Sequence, residues 1–346
     1  MTAKGDASPK SPSKKVPRTS QPSNQLEALK EMTVVVADTG DYEKIKQYKP
    51  QDATTNPTLI LQAVSLPEYN SLVSSVIEKC KASGLSGNAL IEDICDRLAV
   101  QFGTEILKII PGRVSTEVDA CISFDVKKSV EKAKKIISLY EEQGIRKERI
   151  LIKLASTWEG VEACRILEKE GIHCNMTLIF NYEQAIACAQ AGATLISPFV
   201  GRILDWHVKH NPSNGPYTKL TDPGVVSVTK IFKYFKAHKH ATTVMGASFR
   251  SKDEIMGLAG IDSLTISPKL LEELEKCTDE LEQVLDAAAA CRDESIERIE
   301  VSEPVFRWAL NEDQMATDKL SEGIRNFNKD LQKLRDMVKT KLGGEH

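Results

Sequence analysis

The chain predicts a (β/α)8 barrel, a TIM barrel with additional helices that include a long C-terminal one. Three observations carry this. Eight short runs rich in β-forming residues alternate with segments of helical period. Several helical segments end in a glycine a few residues before the next run, as helices that return to a sheet do. Seven of the eight runs carry a polar or ionisable side chain toward their carboxyl ends, which is where such barrels carry their chemistry.

In chain order, residues 1–24 come first. They hold Ser, Pro and Lys with almost nothing to bury, and five Lys/Arg against one Asp. This composition predicts a disordered tail. Residues 25–346 then form a single catalytic barrel domain with a C-terminal helical extension. The β-rich runs are 34–39, 52–56, 113–119, 150–156, 173–180, 194–200, 242–248 and 263–267. Among the helices, Val126, Val130, Ala133, Ile137 and Tyr140 step by three and four. Asn181 with Gln184, and Ser251 with Glu254, have the spacing of N-terminal capping boxes. Gly144, Gly171, Gly192 and Gly260 stand where helices close. Longer insertions fill 57–112 and 201–241. Met315, Leu320, Ile324, Phe327, Leu331, Leu334 and Val338 make the apolar stripe of the last helix, which must lie against the barrel mouth or its side. The competing fold, a doubly wound sheet, usually has a glycine-rich first turn. Neither GxGxxG nor GxxxxGK[ST] occurs in the chain.

Composition narrows the function classes. Hydrophobic residues make up 41% and charged residues 27%, an ordinary globular balance. A net charge of −3 argues against a general nucleic-acid binder. No apolar run reaches the ~20 residues that span a bilayer, and no secretory h-region follows Met1. The eight cysteines are scattered without a CxxC pair, which predicts reduced, buried thiols in the cytoplasm rather than zinc ligands. The six histidines complete no ligand set, so neither metal nor cofactor is expected. Lys14, Lys15 and Arg18 form a weak nuclear address for a minor nuclear pool, against the plainer reading of a solvated tail.

One residue stands out. Lys153 lies inside Ile150-Leu151-Ile152-Lys153-Leu154-Ala155, a run that otherwise reads as a buried strand. A buried ammonium needs a partner or gives up its proton, and the neutral amine is a nucleophile toward carbonyls. The strand ends add Asp38, Asn56, Glu117, Asn175 with Thr177, Ser197 and Ser248. Taken singly, each has a structural explanation: Asp38 capping a turn, Glu117 pairing with Arg113, Asn175 and Thr177 satisfying backbone groups. Converging on one mouth, they read as a site. Barrel order makes the third and fifth strands neighbours of the fourth, which sets Glu117 and Thr177 beside Lys153 as a water-holding proton relay. Arg202 and Arg250 follow the sixth and seventh strands, in the sector where such barrels hold phosphate. A phosphosugar substrate follows from that combination.

These residues resemble a known family. The segments 37–41, 52–57, 112–119, 152–160, 174–178, 196–202 and 245–250 (ADTGD, DATTNP, GRVSTEVD, IKLASTWEG, CNMTL, ISPFVGR and MGASFR) are similar to transaldolases, in order, from about residue 25 to about residue 338. The resemblance implies a cofactor-free Schiff-base mechanism in the non-oxidative pentose phosphate pathway. Lys153 would attack the ketone of sedoheptulose 7-phosphate or fructose 6-phosphate. Glu117 and Thr177 would position the water that shuttles protons, and Asp38 would take the C4 hydroxyl proton. The dihydroxyacetone unit would pass to glyceraldehyde 3-phosphate or erythrose 4-phosphate. Asn56, Asn175 and Ser197 would hold hydroxyls, and Arg202, Ser248 and Arg250 the phosphate. The family also implies a homodimer. Its aldolase members tend to carry tyrosine where this chain has Phe199, so Phe199 favours transfer over release. The rival readings are such an aldolase, a non-covalent isomerase using Glu117 as base, and an inactive scaffold barrel.

Overall fold

The computed structural model describes residues 22–343. Eight parallel strands close into a barrel in sequence order, with the last pairing back to the first. They are β1 (Val34–Asp38), β2 (Asp52–Thr54), β3 (Val114–Glu117), β4 (Ile150–Ala155), β5 (Cys174–Ile179), β6 (Leu195–Pro198), β7 (Thr243–Gly246) and β8 (Ser263–Ile266). Each β-rich run of the sequence contains one of them. The runs overshoot because their last residues already belong to loops or, at Val200, to a helix. Asn56 is extended but caps a helix, and Ser248 turns away at φ 62°.

Helix α1 (Gln25–Lys30) precedes β1, and α2 (Tyr42–Tyr48) follows it. The first insertion is helical: α3 (Pro57–Val64), α4 (Asn70–Lys81) and α5 (Gly87–Leu107). Single helices follow the next three strands: α6 (Val126–Glu141), α7 (Trp158–Lys169) and α8 (Tyr182–Gln190). The second insertion is α9 (Val200–His210) and α10 (Pro223–Ala237), and α11 (Lys252–Gly257) follows β7. Last come α12 (Pro268–Lys276), α13 (Ala287–Ala290), α14 (Glu303–Glu312) and α15 (Gln314–Gly343). Most of the 1–24 tail, including its basic address, lies outside the described residues. Asn24, assigned to that tail on composition, caps α1 by accepting from the Glu27 N–H at 2.9 Å.

Local chemistry explains the elements. On α6, Ala133, Ile136, Ile137 and Tyr140 bury one face against the barrel. At α8 the capping box closes in both directions, Asn181 Oδ1 on Gln184 N–H at 2.9 Å and Gln184 Oε1 on Asn181 N–H at 3.2 Å. The second expected box is only half made. Ser251 accepts from the Glu254 N–H, while Glu254 reaches past it to the Arg250 N–H at 2.5 Å. The four helix-closing glycines all adopt positive φ.

Strand period aims the site. Along β4, Ile150, Ile152 and Leu154 face outward into the core shared with the helices. Leu151 faces inward, where it meets Val36, Leu195 and Met245 as an apolar floor. Side chains alternate across a strand, so Lys153 follows Leu151 inward, one step nearer the mouth. The same step puts Asp38 above Val36 and Ser197 above Leu195.

The last helix crosses this mouth. Every residue of its predicted stripe, from Met315 to Val338, is buried. Burying seven apolar side chains contributes on the order of 10 kcal/mol. Single hydrogen bonds contribute about 1 kcal/mol each, so the stripe seats α15 and its polar contacts set its register. Those contacts are Trp206 Nε1 to Asp318 (2.9 Å), Thr58 Oγ1 to Asp330 (2.6 Å), and Arg335 Nη2 to Glu92 (2.9 Å) and Asp119 (3.0 Å). Gly323 allows a close approach: a Cβ there would stand 2.6 Å from a Leu178 methyl.

Candidate active site

Lys153 is 3% exposed, and its Nζ lies 3.3 Å from Glu117 Oε2. The strands place the two residues directly opposite each other. The Nζ also donates to the Thr55 carbonyl at 3.2 Å. Glu117 Oε2 is off the line of a hydrogen bond and is not otherwise partnered among the described residues. Burial pushes the Glu117 carboxyl above its usual range, while the Lys153 charge pulls it back. Behind it lies a cavity of about 40 Å³ lined by Thr55, Asn56, Asp96, Thr116 and Asp119, large enough for an ordered water.

Thr177 sits differently from its sequence-based placement. The register sets Asn175 opposite Lys153 and Thr177 opposite Ala155, one step nearer the mouth. Thr177 is fully buried, and its Oγ1 has no partner among the described residues. Just beyond it the β5–β6 register shifts, with Leu178 at φ 58°. This bulge is invisible in the sequence and re-aims the end of the strand. Asn175 and Ser197 form a chain: Ser197 Oγ donates to Asn175 Oδ1 at 2.6 Å, and Asn175 Nδ2 donates to Ser115 Oγ at 3.0 Å. Asn56 has a structural task as well, capping α3 through the Leu59 N–H at 2.9 Å. Asp38 caps no turn. It accepts from Thr54 Oγ1 at 2.8 Å, and burial raises its pKa against the pull of Lys153, Thr54 and Arg202.

The two arginines are held in unlike ways. Arg250 is half-exposed and makes a two-point pair with Asp205, 3.2 Å from Nε and 2.6 Å from Nη2, and it also donates to the Ser248 carbonyl at 3.1 Å. Arg202 has no carboxylate in ion-pair reach among the described residues. Its guanidinium lies over the Phe199 ring at 4.8 Å and the Phe327 ring at 5.4 Å. Burial and the neighbouring Arg250 lower its pKa. Phe327 belongs to α15, and its ring centroid is also 6.0 Å from Lys153 Nζ. Phe327 appears in the sequence only as one member of an apolar stripe. The signal that singles it out is Gly323 four residues earlier, in mid-helix, where a glycine costs about 1 kcal/mol unless something must come close.

One cluster of metal-ligand types occurs among the described residues, Cys164, Glu168 and Cys174, at the opposite end of the barrel. Its carboxylate is committed elsewhere: Glu168 Oε1 accepts the Cys174 and Thr194 N–H groups at 2.8 and 2.7 Å. All eight cysteines are unbridged. No described helix is long and apolar enough to cross a membrane.

A closed (β/α)8 barrel with a buried lysine–carboxylate pair and two arginines at its mouth defines a class of enzyme rather than a binding module. Comparison with known proteins narrows the class. The family model for transaldolase/fructose-6-phosphate aldolase matches residues 35–338. The chain is 57% identical over 318 residues to the probable transaldolase of Drosophila melanogaster, covering 92% of this chain and 96% of that one. It is 58% identical over 317 residues to the transaldolase of Protochlamydia amoebophila (92% and 98%) and 56% identical over 319 residues to that of Shewanella frigidimarina (92% and 99%). The chain belongs to the transaldolase/fructose-6-phosphate aldolase family. It is a transferase with transaldolase activity, which moves a dihydroxyacetone unit between sugar phosphates.

Proposed function

We propose that Lys153 is the Schiff-base nucleophile of this transfer and that the mouth residues divide the remaining steps among them. The observation that carries the reading is the buried Lys153–Glu117 pair at 3.3 Å, which stands on an apolar floor where the fold needs no charge. The amine adds to the C2 carbonyl of the ketose phosphate. Glu117, which burial keeps disposed to hold a proton, supplies it to the departing carbinolamine hydroxyl through a water shared with Thr177. Asp38 then takes the C4 hydroxyl proton. The C3–C4 bond breaks, its electrons pass to the iminium, and the aldose phosphate leaves. The enamine on Lys153 attacks the aldehyde of the second aldose phosphate, Asp38 returns its proton, and water releases the new ketose.

Asn56, Asn175 and Ser197 hold hydroxyls of the bound unit. Arg202, Ser248 and Arg250 hold the phosphate, Arg250 exchanging Asp205 for it. Phe199 has no hydroxyl with which to protonate the enamine, which favours transfer over release of free dihydroxyacetone. The protein works as a cytoplasmic homodimer, a reading that rests on the family resemblance; light scattering checks the dimer. For the chemistry the test is borohydride trapping with fructose 6-phosphate followed by peptide mapping. A three-carbon adduct on Lys153 is expected. An adduct elsewhere, or none, overturns the assignment.

A further inference from the structure

We propose that Phe327, on the C-terminal helix, is a positioning residue for the substrate phosphate and acts through Arg202. This rests on the phosphate role given to Arg202 above and adds a specificity device to it.

A buried guanidinium normally finds a carboxylate. Arg250 has found one in Asp205, in two-point geometry, and must release it to take a phosphate. Arg202 is the more buried of the two and has no such partner. What it has is aromatic faces, Phe199 at 4.8 Å and Phe327 at 5.4 Å from its central carbon. A ring attracts a cation through its quadrupole and carries no net charge, so it fixes the guanidinium without neutralising it. The N–H groups stay available for an anion, and no ion pair has to break first. Two elements distant in sequence build this clamp. Phe199 precedes α9, while Phe327 is buried on α15 and is brought in by the close approach at Gly323, whose added Cβ would stand 3.3 Å from Arg202 Nη1. A second cation, Lys153, lies 6.0 Å from the Phe327 ring. One ring thus spans the distance between the bond-making and phosphate-holding ends of the site.

The experiment compares Phe327→Leu with wild type in three readouts: KM for fructose 6-phosphate, inhibition by inorganic phosphate, and the rate of borohydride trapping with unphosphorylated D-fructose. Leucine keeps an apolar side chain and removes the ring face. The expected result is a rise of about tenfold in both KM for the phosphorylated ketose and the inhibition constant of phosphate, the size of a desolvated cation–π contact. The kcat for fructose 6-phosphate and the trapping rate with D-fructose stay at the wild-type level. Phe327→Tyr, which keeps the face, restores both constants. Unchanged phosphate inhibition in Phe327→Leu overturns the proposal, as does an equal loss with the phosphorylated and unphosphorylated ketoses. Phe327→Met replaces the leucine variant if that one fails to fold. Arg202→Gln separates the two levels of the argument. If it leaves phosphate inhibition intact, the phosphate reading itself is wrong. If it abolishes inhibition while Phe327→Leu does not, only the role of Phe327 falls.

Discussion

The two ends of this barrel hold their charged groups differently. At the end where the strands begin, several half-buried charges are consumed by the fold. Glu168 accepts two backbone N–H groups, Asp52 accepts the Arg113 N–H at 2.7 Å, Asp262 takes both Lys236 and the Val244 N–H, and Arg149 reaches the Leu107 and Ile110 carbonyls. At the mouth the groups are left short of partners. Glu117 Oε2 and Thr177 Oγ1 have no hydrogen bond among the described residues, and Arg202 rests on rings. Buried polar groups are satisfied almost everywhere in proteins, so an unpaired carboxylate oxygen beside a buried lysine calls for a reason that packing does not supply. On the proposed reading, the same strands carry stability at one end and chemistry at the other.

Substitutions at each end test this contrast. The largest effect belongs to Lys153→Ala, expected to lower turnover at least about a thousandfold while thermal unfolding stays cooperative. Near-normal rates in that variant would dissolve the distinction. Asp38→Ala should still give a borohydride adduct but cleave about a hundredfold more slowly, as the loss of a general base does. A normal single-turnover cleavage rate would take Asp38 out of the chemistry. At the opposite end, Glu168→Ala should cost about 2–4 kcal/mol of stability by stranding two N–H groups, with kcat and KM unchanged. Kinetic damage without a fall in melting temperature would show that the two ends are not separable.

Glu254 sharpens the comparison with a pH dependence. It lies beneath the loop that presents Ser248 and Arg250, and burial raises its carboxyl from 4.5 to about 7. The folded state thus holds this proton more tightly than the unfolded chain does. Its stabilising contribution is complete below 4.5 and disappears as pH rises toward about 7. Glu254→Gln stays neutral throughout, so its melting temperature should gain on wild type across that interval, by at most on the order of 3 kcal/mol in stability. A constant difference between the two across the interval would mean that Glu254 is ionised at all these pH values.

Much of this architecture was legible in the sequence, and the reasons are physical. All eight strands showed because β-branched runs must end in polar residues where they leave the core. Lys153 showed because an amine among isoleucines and leucines has no cheap explanation. Glu117 showed because strand order alone makes it a neighbour of Lys153. What sequence did not reveal depends on register and rotation. The one-step offset of Thr177 follows from how β5 registers against β4, and the Leu178 bulge belongs to the separate pairing of β5 with β6. The Arg250–Asp205 pair joins residues on different elements whose facing surfaces no periodicity reports. Phe327 was hidden by its own stripe, because seating a helix and lining a site call for the same kind of side chain.

The position of α15 along the chain also fixes the order in which the parts of the mouth are made. Residues 314–343 are made after all eight strands, so Lys153, Glu117, Arg202 and Arg250 are all synthesised before the Phe327 ring that lies over Lys153 and Arg202. No strand pair of the barrel uses a residue of this helix, so α15 is laid over a mouth whose frame the strands alone define.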